Sequence, residues 1–191
     1  ILIQMSNESH LIKLGEKIKS KEAIICIIGL GRVGLPLASI LANKNYNVLG
    51  IDVDEKKIEK IRNSICPFYD PPLQKNLEEA VNKGKLIVSA HISKNKSDVI
   101  ILTVGTPSLE GSADYSQLYS AINEICITDI FGKLIILRST LPPKTTEDII
   151  IPMLEKKTNL KCGKDFALAV CPERILEGKA IQEINDLPEI I

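Results

Sequence analysis

The chain has 191 residues, 45% of them hydrophobic and 25% charged, the balance of an ordinary water-soluble globular protein of one large domain or one domain with an appendage. Twenty-four basic residues match 24 acidic ones, so no net charge draws the chain to nucleic acid or to an anionic membrane surface. No apolar run has the length of a membrane span, and the N-terminus lacks the layout of a signal peptide.

Five cysteines, at 26, 66, 126, 162 and 171, form no C-x-x-C pair and read as reduced thiols of a cytoplasmic protein. Cys26 and Cys126 fall in stretches that suit small buried residues. His10 and His91 have no partner at metal-ligand spacing, so no metal site is expected.

In chain order, residues 1–22 read as a helical extension, with Leu11, Ile12, Leu14 and Ile18 as its apolar positions. The domain proper is expected to occupy 23–191. Residues 23–28 are unbrokenly apolar, as in a strand buried on both faces of a parallel sheet. Gly29, Gly31 and Gly34 follow at G-x-G-x-x-G spacing, and Leu35, Leu37, Ala38, Ile40 and Leu41 then recur as on a helix face. In this strand–turn–helix, Gly29 makes the tight turn, Gly31 lets backbone approach a pyrophosphate, and Gly34 lets helix and strand pack closely. The helix N-terminus offers N–H groups to the phosphates.

A second buried strand, 47–53, carries Asp52 about 20 residues further on, where an adenosine ribose presents its 2′-hydroxyl. A carboxylate there repels a 2′-phosphate, which favours NAD over NADP. The alternative reading is a structural glycine turn with a helix-capping Asp. Asp54 caps a helix to about 63 with Ile58 and Ile61 facing inward. A loop at 66–72 uses Phe68 and Tyr69 for packing, and Pro72 suits the first turn of a helix to about 82. Strands follow at 86–89 and 98–104, the latter running into Gly105-Thr106-Pro107. A loop, 108–113, leads to Asp114 as N-cap of a helix through 125. A fifth strand, 134–137, ends in Arg138-Ser139-Thr140. A helix begins at Thr145 or Thr146 and runs to about 157, and a sixth strand, 166–170, ends in Cys171-Pro172-Glu173-Arg174.

Strands and helices alternating in this way specify an α/β fold: a doubly wound parallel sheet of about six strands in the order 3-2-1-4-5-6, with helices on both faces. The polar or glycine-rich segments after strands one, two, four, five and six all fall at the carboxyl ends, where such sheets bind ligands.

Together these segments resemble the nucleotide-sugar 6-dehydrogenases, the UDP-glucose/GDP-mannose dehydrogenase family. The matching elements are Gly-Leu-Gly-Arg-Val-Gly-Leu-Pro (29–36), Ile-Asp-Val-Asp (51–54), Thr-Val-Gly-Thr-Pro (103–107), Arg-Ser-Thr-Leu-Pro-Pro (138–143) and Cys-Pro-Glu-Arg-Ile-Leu-Glu-Gly-Lys-Ala (171–180), in the family's order. The form of the last is similar to the N-acetylhexosamine branch. The resemblance implies a Rossmann domain and an NAD-dependent, two-hydride oxidation of a sugar C6 alcohol to a carboxylate. The branch points to UDP-N-acetyl-D-mannosamine as the UDP-sugar. The family passes through a thiohemiacetal and a thioester on a cysteine, because a hydride leaves an aldehyde only after a nucleophile has added.

Carried over by position, Gly29, Leu30, Gly31, Arg32, Val33 and Gly34 cradle the pyrophosphate, and Asp52 and Lys57 lie at the adenosine ribose. Thr103, Gly105, Thr106 and Pro107 line the dinucleotide's path, with Ser139 and Thr140 near the nicotinamide. Thr140 helps position water and Glu173 is a candidate general base. Glu173, Arg174, Ile175 and Leu176 meet the sugar, and Glu177 approaches both cofactor and sugar. Which glutamate activates water stays open. So does whether Arg32 meets phosphate or solvent, and whether Thr140 serves the site, caps a helix, or both. The family's nucleophilic Cys, and its catalytic Lys and Asn, lie in later segments, so this chain alone is expected to bind NAD without turning over. Cys171 is an ordinary part of its segment and no substitute nucleophile. A homodimer is expected through regions beyond Ile191, where the chain is expected to continue. UDP-glucose oxidation and a non-catalytic dinucleotide sensor are the alternative functions.

Overall fold

A computed structural model describes residues 5–92, 97–109, 112–173 and 180–186. Its centre is a six-stranded sheet, all pairs parallel: β1 (Ile24–Ile28), β2 (Asn47–Ile51), β3 (Leu86–Ser89), β4 (Val99–Leu102), β7 (Leu134–Leu137) and β8 (Ala167–Val170), in the order β3-β2-β1-β4-β7-β8. This is the expected doubly wound order. The chain leaves β1 in one direction toward β2 and β3, then returns to lay β4 on β1's other edge. The switch point therefore lies between the carboxyl ends of β1 and β4, where a crevice is left.

β1 is buried on both faces, and the two-residue side-chain period of a strand divides it between two cores. Ile25 and Ile27 pack with Val48, Val88 and Ile101 under α2 (Gly34–Asn43), α3 (Glu55–Arg62) and α4 (Pro71–Asn82). Cys26 and Ile28 pack with Ile100, Leu102, Ile135 and Leu137 under α5 (Ser116–Ile127) and α6 (Ile151–Thr158), whose Leu118, Ile122, Ile125 and Leu154 face in. α7 (Ala180–Asp186) returns to lie against α2 and α4 through Ile181 and Ile184.

The N-terminal extension forms α1 (Met5–Lys19) and docks on the amino ends of the strands. Leu14 is buried, Tyr46 Oη donates to Ile18 O at 2.9 Å, and Lys17 Nζ reaches Asp98 Oδ1 at 2.7 Å. Asp98 Oδ2 accepts the Ile24 N–H at 2.9 Å, so one carboxylate ties α1, β1 and the start of β4 together.

Several expectations are corrected. Residues 108–113 contain a two-stranded antiparallel hairpin, β5 (Ser108–Leu109) with β6 (Ser112–Ala113). Asp114 stands one residue outside the N-cap Tyr115, yet its Oδ1 still accepts the Ser116 N–H at 2.8 Å, which holds its carboxyl below the usual aspartate range. The helix after β7 opens with a π-helical turn, Thr146–Ile150, which runs directly into α6. Thr140 caps no helix, because that turn starts six residues later and its N-cap, Thr145, makes no side-chain cap bond. Pro72 does stand in the first turn of α4, which begins at Pro71 and is capped by Asp70 Oδ1 accepting the Leu73 N–H. Tyr69 is 91% exposed and so packs against little, and Ile12 of α1 faces solvent. Cys126 is half-buried, and burial pushes its thiol pKa up.

Candidate functional site

A cleft of about 460 Å³ opens at the switch point. One wall is the glycine turn, with Gly29 and Gly31. The floor is the carboxyl ends of β1 and β2, with Asp52, Val53 and Lys57 beyond them. The other wall is Thr103–Gly105 and one face of α5.

The glycine turn is shaped by contacts that can be read one residue at a time. Gly29 has φ +96°, a conformation that favours glycine. A Cβ on Gly34 would lie 1.9 Å from Gly29 O and 2.5 Å from Thr103 Oγ1, so only a glycine lets α2 start this close to the strand ends. Gly31 is the opposite case: a Cβ there would meet nothing within 4 Å. Packing does not require its bareness, which keeps open a space beside the start of α2. α2 has no side-chain cap, and no acidic residue lies in its first turn, so its N–H groups and positive dipole end suit an anion. Thr103 staples the turn to β4, its Oγ1 donating to Gly29 O at 2.6 Å and lying 3.0 Å from Ile28 O.

Asp52 is buried and held from three sides. The Leu30 N–H donates to Oδ2 at 2.8 Å, Lys57 Nζ to Oδ2 at 2.7 Å, and the Asp54 N–H to Oδ1 at 3.0 Å. Leu30 itself is fully buried, so its contribution to the site is this N–H. Val53, beside Asp52, is 81% exposed within the cleft lining, an apolar face available to a flat ring. Opposite it stand Gln117, Ser120, Ala121 and Glu124, spaced three and four apart on one face of α5. An anion seat, a fixed ribose acceptor and a slot with an apolar wall fit a dinucleotide of the NAD type.

The further strand ends connect to this cleft by hydrogen bonds. Ser139 Oγ donates to Val104 O at 2.6 Å, and Thr106 Oγ1 to Thr140 O at 2.9 Å, so the segments after β4 and β7 are tied to each other. Thr140 and Pro107 are exposed at this edge. Next to them the Arg138 guanidinium grips Glu173, with Nε 3.1 Å and Nη2 2.7 Å from Oε2, and its Nη1 lies 3.4 Å from Cys171 Sγ. Cys171 is buried beneath that guanidinium.

The structure thus brings Gly29, Gly31, Asp52, Lys57, Thr103 and Gly105 into one cleft; Ser139 is bonded to its wall at Val104, Thr106 is bonded to Thr140, and Glu173 lies apart at the end of β8, paired with Arg138. Arg32 stacks over the Phe68 ring, 4.9 Å from its centroid, and Val33 forms the N-cap of α2. Arg174, Ile175, Leu176 and Glu177 lie outside the described residues. Sequence reading missed Gln117, Ser120, Ala121 and Glu124. Their only signal was helical spacing, which a solvated face shares. Among the described residues no helix is long and apolar enough to cross a membrane.

Residues 23–191 match the family described as "UDP-glucose/GDP-mannose dehydrogenase family, NAD binding domain". A UDP-N-acetyl-D-mannosamine dehydrogenase from Methanococcus vannielii is 38% identical over 178 residues, covering 91% of this chain and 39% of the relative. The solved UDP-N-acetyl-mannosamine dehydrogenase of Staphylococcus aureus superposes with a TM-score of 0.83 at 34% identity, over 87% of this chain and 40% of its own. The UDP-D-ManNAc dehydrogenase structure from Pyrococcus horikoshii gives 0.81 at 35% identity, over 84% and 38%. The chain spans about two fifths of the length of these relatives.

Proposed function

The chain belongs to the UDP-glucose/GDP-mannose dehydrogenase family, whose NAD-binding domain it contains, and on that premise we propose that it is the cofactor half of an enzyme oxidising the C6 alcohol of UDP-N-acetyl-D-mannosamine to the uronate. The reaction consumes two NAD and one water per sugar. The observation that carries the reading is the combination of a dinucleotide cleft at the switch point with a buried carboxylate, Glu173, at the carboxyl end of the edge strand β8. A dinucleotide-binding sensor needs the first but not the second. The 171–180 segment and the relatives' names favour the N-acetylmannosamine substrate over UDP-glucose.

In this reading residues 23–191 form the domain and 1–22 an extension. NAD, when bound, supplies the hydride acceptor. The α2 N-terminus holds the pyrophosphate, with Gly31 leaving room for it and Arg32 flanking it. Asp52 accepts from the adenosine ribose, and Lys57 offsets part of its charge. Thr103, Gly105, Thr106 and Pro107 line the path to the nicotinamide, and the Thr106–Thr140 bond sets Thr140 beside it. Ser139 is anchored to Val104 and fixes that strand end. Glu173 stands on the sugar side as the candidate base for water, with Arg174, Ile175, Leu176 and Glu177 continuing the sugar contact. The cysteine nucleophile and the homodimer contacts are assigned to later segments of a longer, cytoplasmic protein.

The test is the full-length gene product assayed with UDP-N-acetyl-D-mannosamine and with UDP-glucose, following NADH. Two NADH per N-acetylmannosamine sugar is the expected result. Turnover of UDP-glucose alone would move the assignment to that branch, and NADH from neither would leave the sensor reading.

A further inference from the structure

Arg138 leaves β7 at its carboxyl end and Glu173 follows β8 by three residues, 35 positions apart in sequence. The backbone at both places is fixed by the sheet. The Arg138 N–H donates to Leu102 O and the Cys171 N–H to Leu137 O, at 2.9 and 2.8 Å. Their side chains are 8% and 12% exposed, so this is a buried pair rather than a surface one. Two guanidinium nitrogens converge on one carboxylate oxygen, Oε2, while Nη1 rests against Cys171 Sγ. A planar donor fork closing on one oxygen fixes where that oxygen sits more firmly than a lysine ammonium on a flexible stem would. Burying two charges is costly and adds little net stability compared with an apolar pair, so the arrangement needs a reason other than stability.

We propose that Arg138 is a positioning residue of the sugar oxidation: it fixes where the Glu173 carboxylate sits at the carboxyl end of β8. The inference rests on the functional reading above, in which Glu173 handles water or sugar at the end of β8. The chemistry asks for it because a catalytic carboxylate displaced by about 1 Å loses on the order of 100-fold in rate. Cys171 has a supporting part, its sulfur closing the third side of the guanidinium.

The experiment is a double-mutant cycle in the full-length protein: wild type, Arg138→Gln, Glu173→Gln and the pair, with Arg138→Lys as the conservative variant. Arg138→Gln is expected to lower kcat for nucleotide-sugar oxidation by about 100-fold while KM for NAD stays within about threefold, since the dinucleotide cleft is separate. Arg138→Lys keeps the charge but loses the fork, and is expected to recover part of that loss. In the Glu173→Gln background, Arg138→Gln should cost no more than about twofold, because its partner is already gone. A loss of the same size in both backgrounds, or an unchanged kcat in Arg138→Gln, overturns the inference. Should Arg138→Gln fail to melt cooperatively, the cycle is run with Arg138→Lys, whose kcat loss must likewise vanish in the Glu173→Gln background. A wild type that makes no NADH from any nucleotide sugar overturns the functional reading and this inference with it. A normal wild type with an indifferent Arg138 overturns the inference alone.

Discussion

Lys57 Nζ lies 2.7 Å from Asp52 Oδ2, the same oxygen that accepts the Leu30 N–H. The acidic residue expected to select NAD is thus part of an ion pair, with Lys57 a quarter exposed at the cleft. In the proposed function Asp52 supplies the ribose acceptor, and Lys57 is the cation paired with it. Asp52→Asn should therefore weaken NAD binding by about 10- to 100-fold, the loss of a charge-assisted hydrogen bond. It should also raise the relative affinity for NADP, whose 2′-phosphate would find a released ammonium. Calorimetric titration with both dinucleotides checks this. Equal losses for both would mean that Lys57 has no part in the selection.

The second and third glycines of the turn should fail in different ways. Gly34→Ala places a methyl 1.9 Å from Gly29 O and should destabilise the fold by about 1–3 kcal/mol or more, read from the urea midpoint. Gly31→Ala meets no atom within 4 Å and should leave the midpoint unchanged while abolishing the effect of NAD on melting. A Gly31→Ala chain that binds NAD normally would contradict the placement of the pyrophosphate.

α1 belongs to the folded unit through Leu14 and not through Ile12. Leu14→Ala should cost about 2–5 kcal/mol, as for a buried leucine elsewhere, whereas Ile12→Ser should stay within about 0.5 kcal/mol. Denaturant titration of the two variants reads the difference. Equal, small effects would make the extension a detachable arm.

Asp114 carries a pH signature. Its carboxyl is held below the usual aspartate range chiefly by the Ser116 N–H, with the Ser116 hydroxyl adding to it. A lowered folded pKa means that the contribution is fully present above the ordinary aspartate range and is lost as pH falls through the lowered value. Amide protection factors at the start of α5 should fall in the wild type as pH drops below the ordinary aspartate range, and in Asp114→Ala should already be low at neutral pH. The same protection factors in both would deny Asp114 its capping part.

The strand order, the glycine turn and Asp52 were legible because each rests on local chemistry: an apolar run, a fixed glycine spacing, an acid about 20 residues on. Lys57 was legible only by its place in the resembling segment, since nothing local announces an ion pair. The Arg138–Glu173 pair was not legible, because it joins two strand ends that only the sheet order brings together. Gln117, Ser120 and Glu124 were missed because a helix face lining a cleft has the same sequence period as one facing water. Tyr69 was misread because an aromatic in a proline-flanked loop looks like packing, and only the fold leaves it 91% exposed.

The central claim is that the cleft between the glycine turn and α5 takes NAD, and heating this chain with and without NAD tests it most directly. At a concentration 100 times the Kd, mass action adds about 2.7 kcal/mol to stability, which for a domain of this size raises Tm by about 5–10 °C. NADP at the same concentration should raise it less, because Asp52 opposes a 2′-phosphate. An unchanged Tm at millimolar NAD would contradict the account.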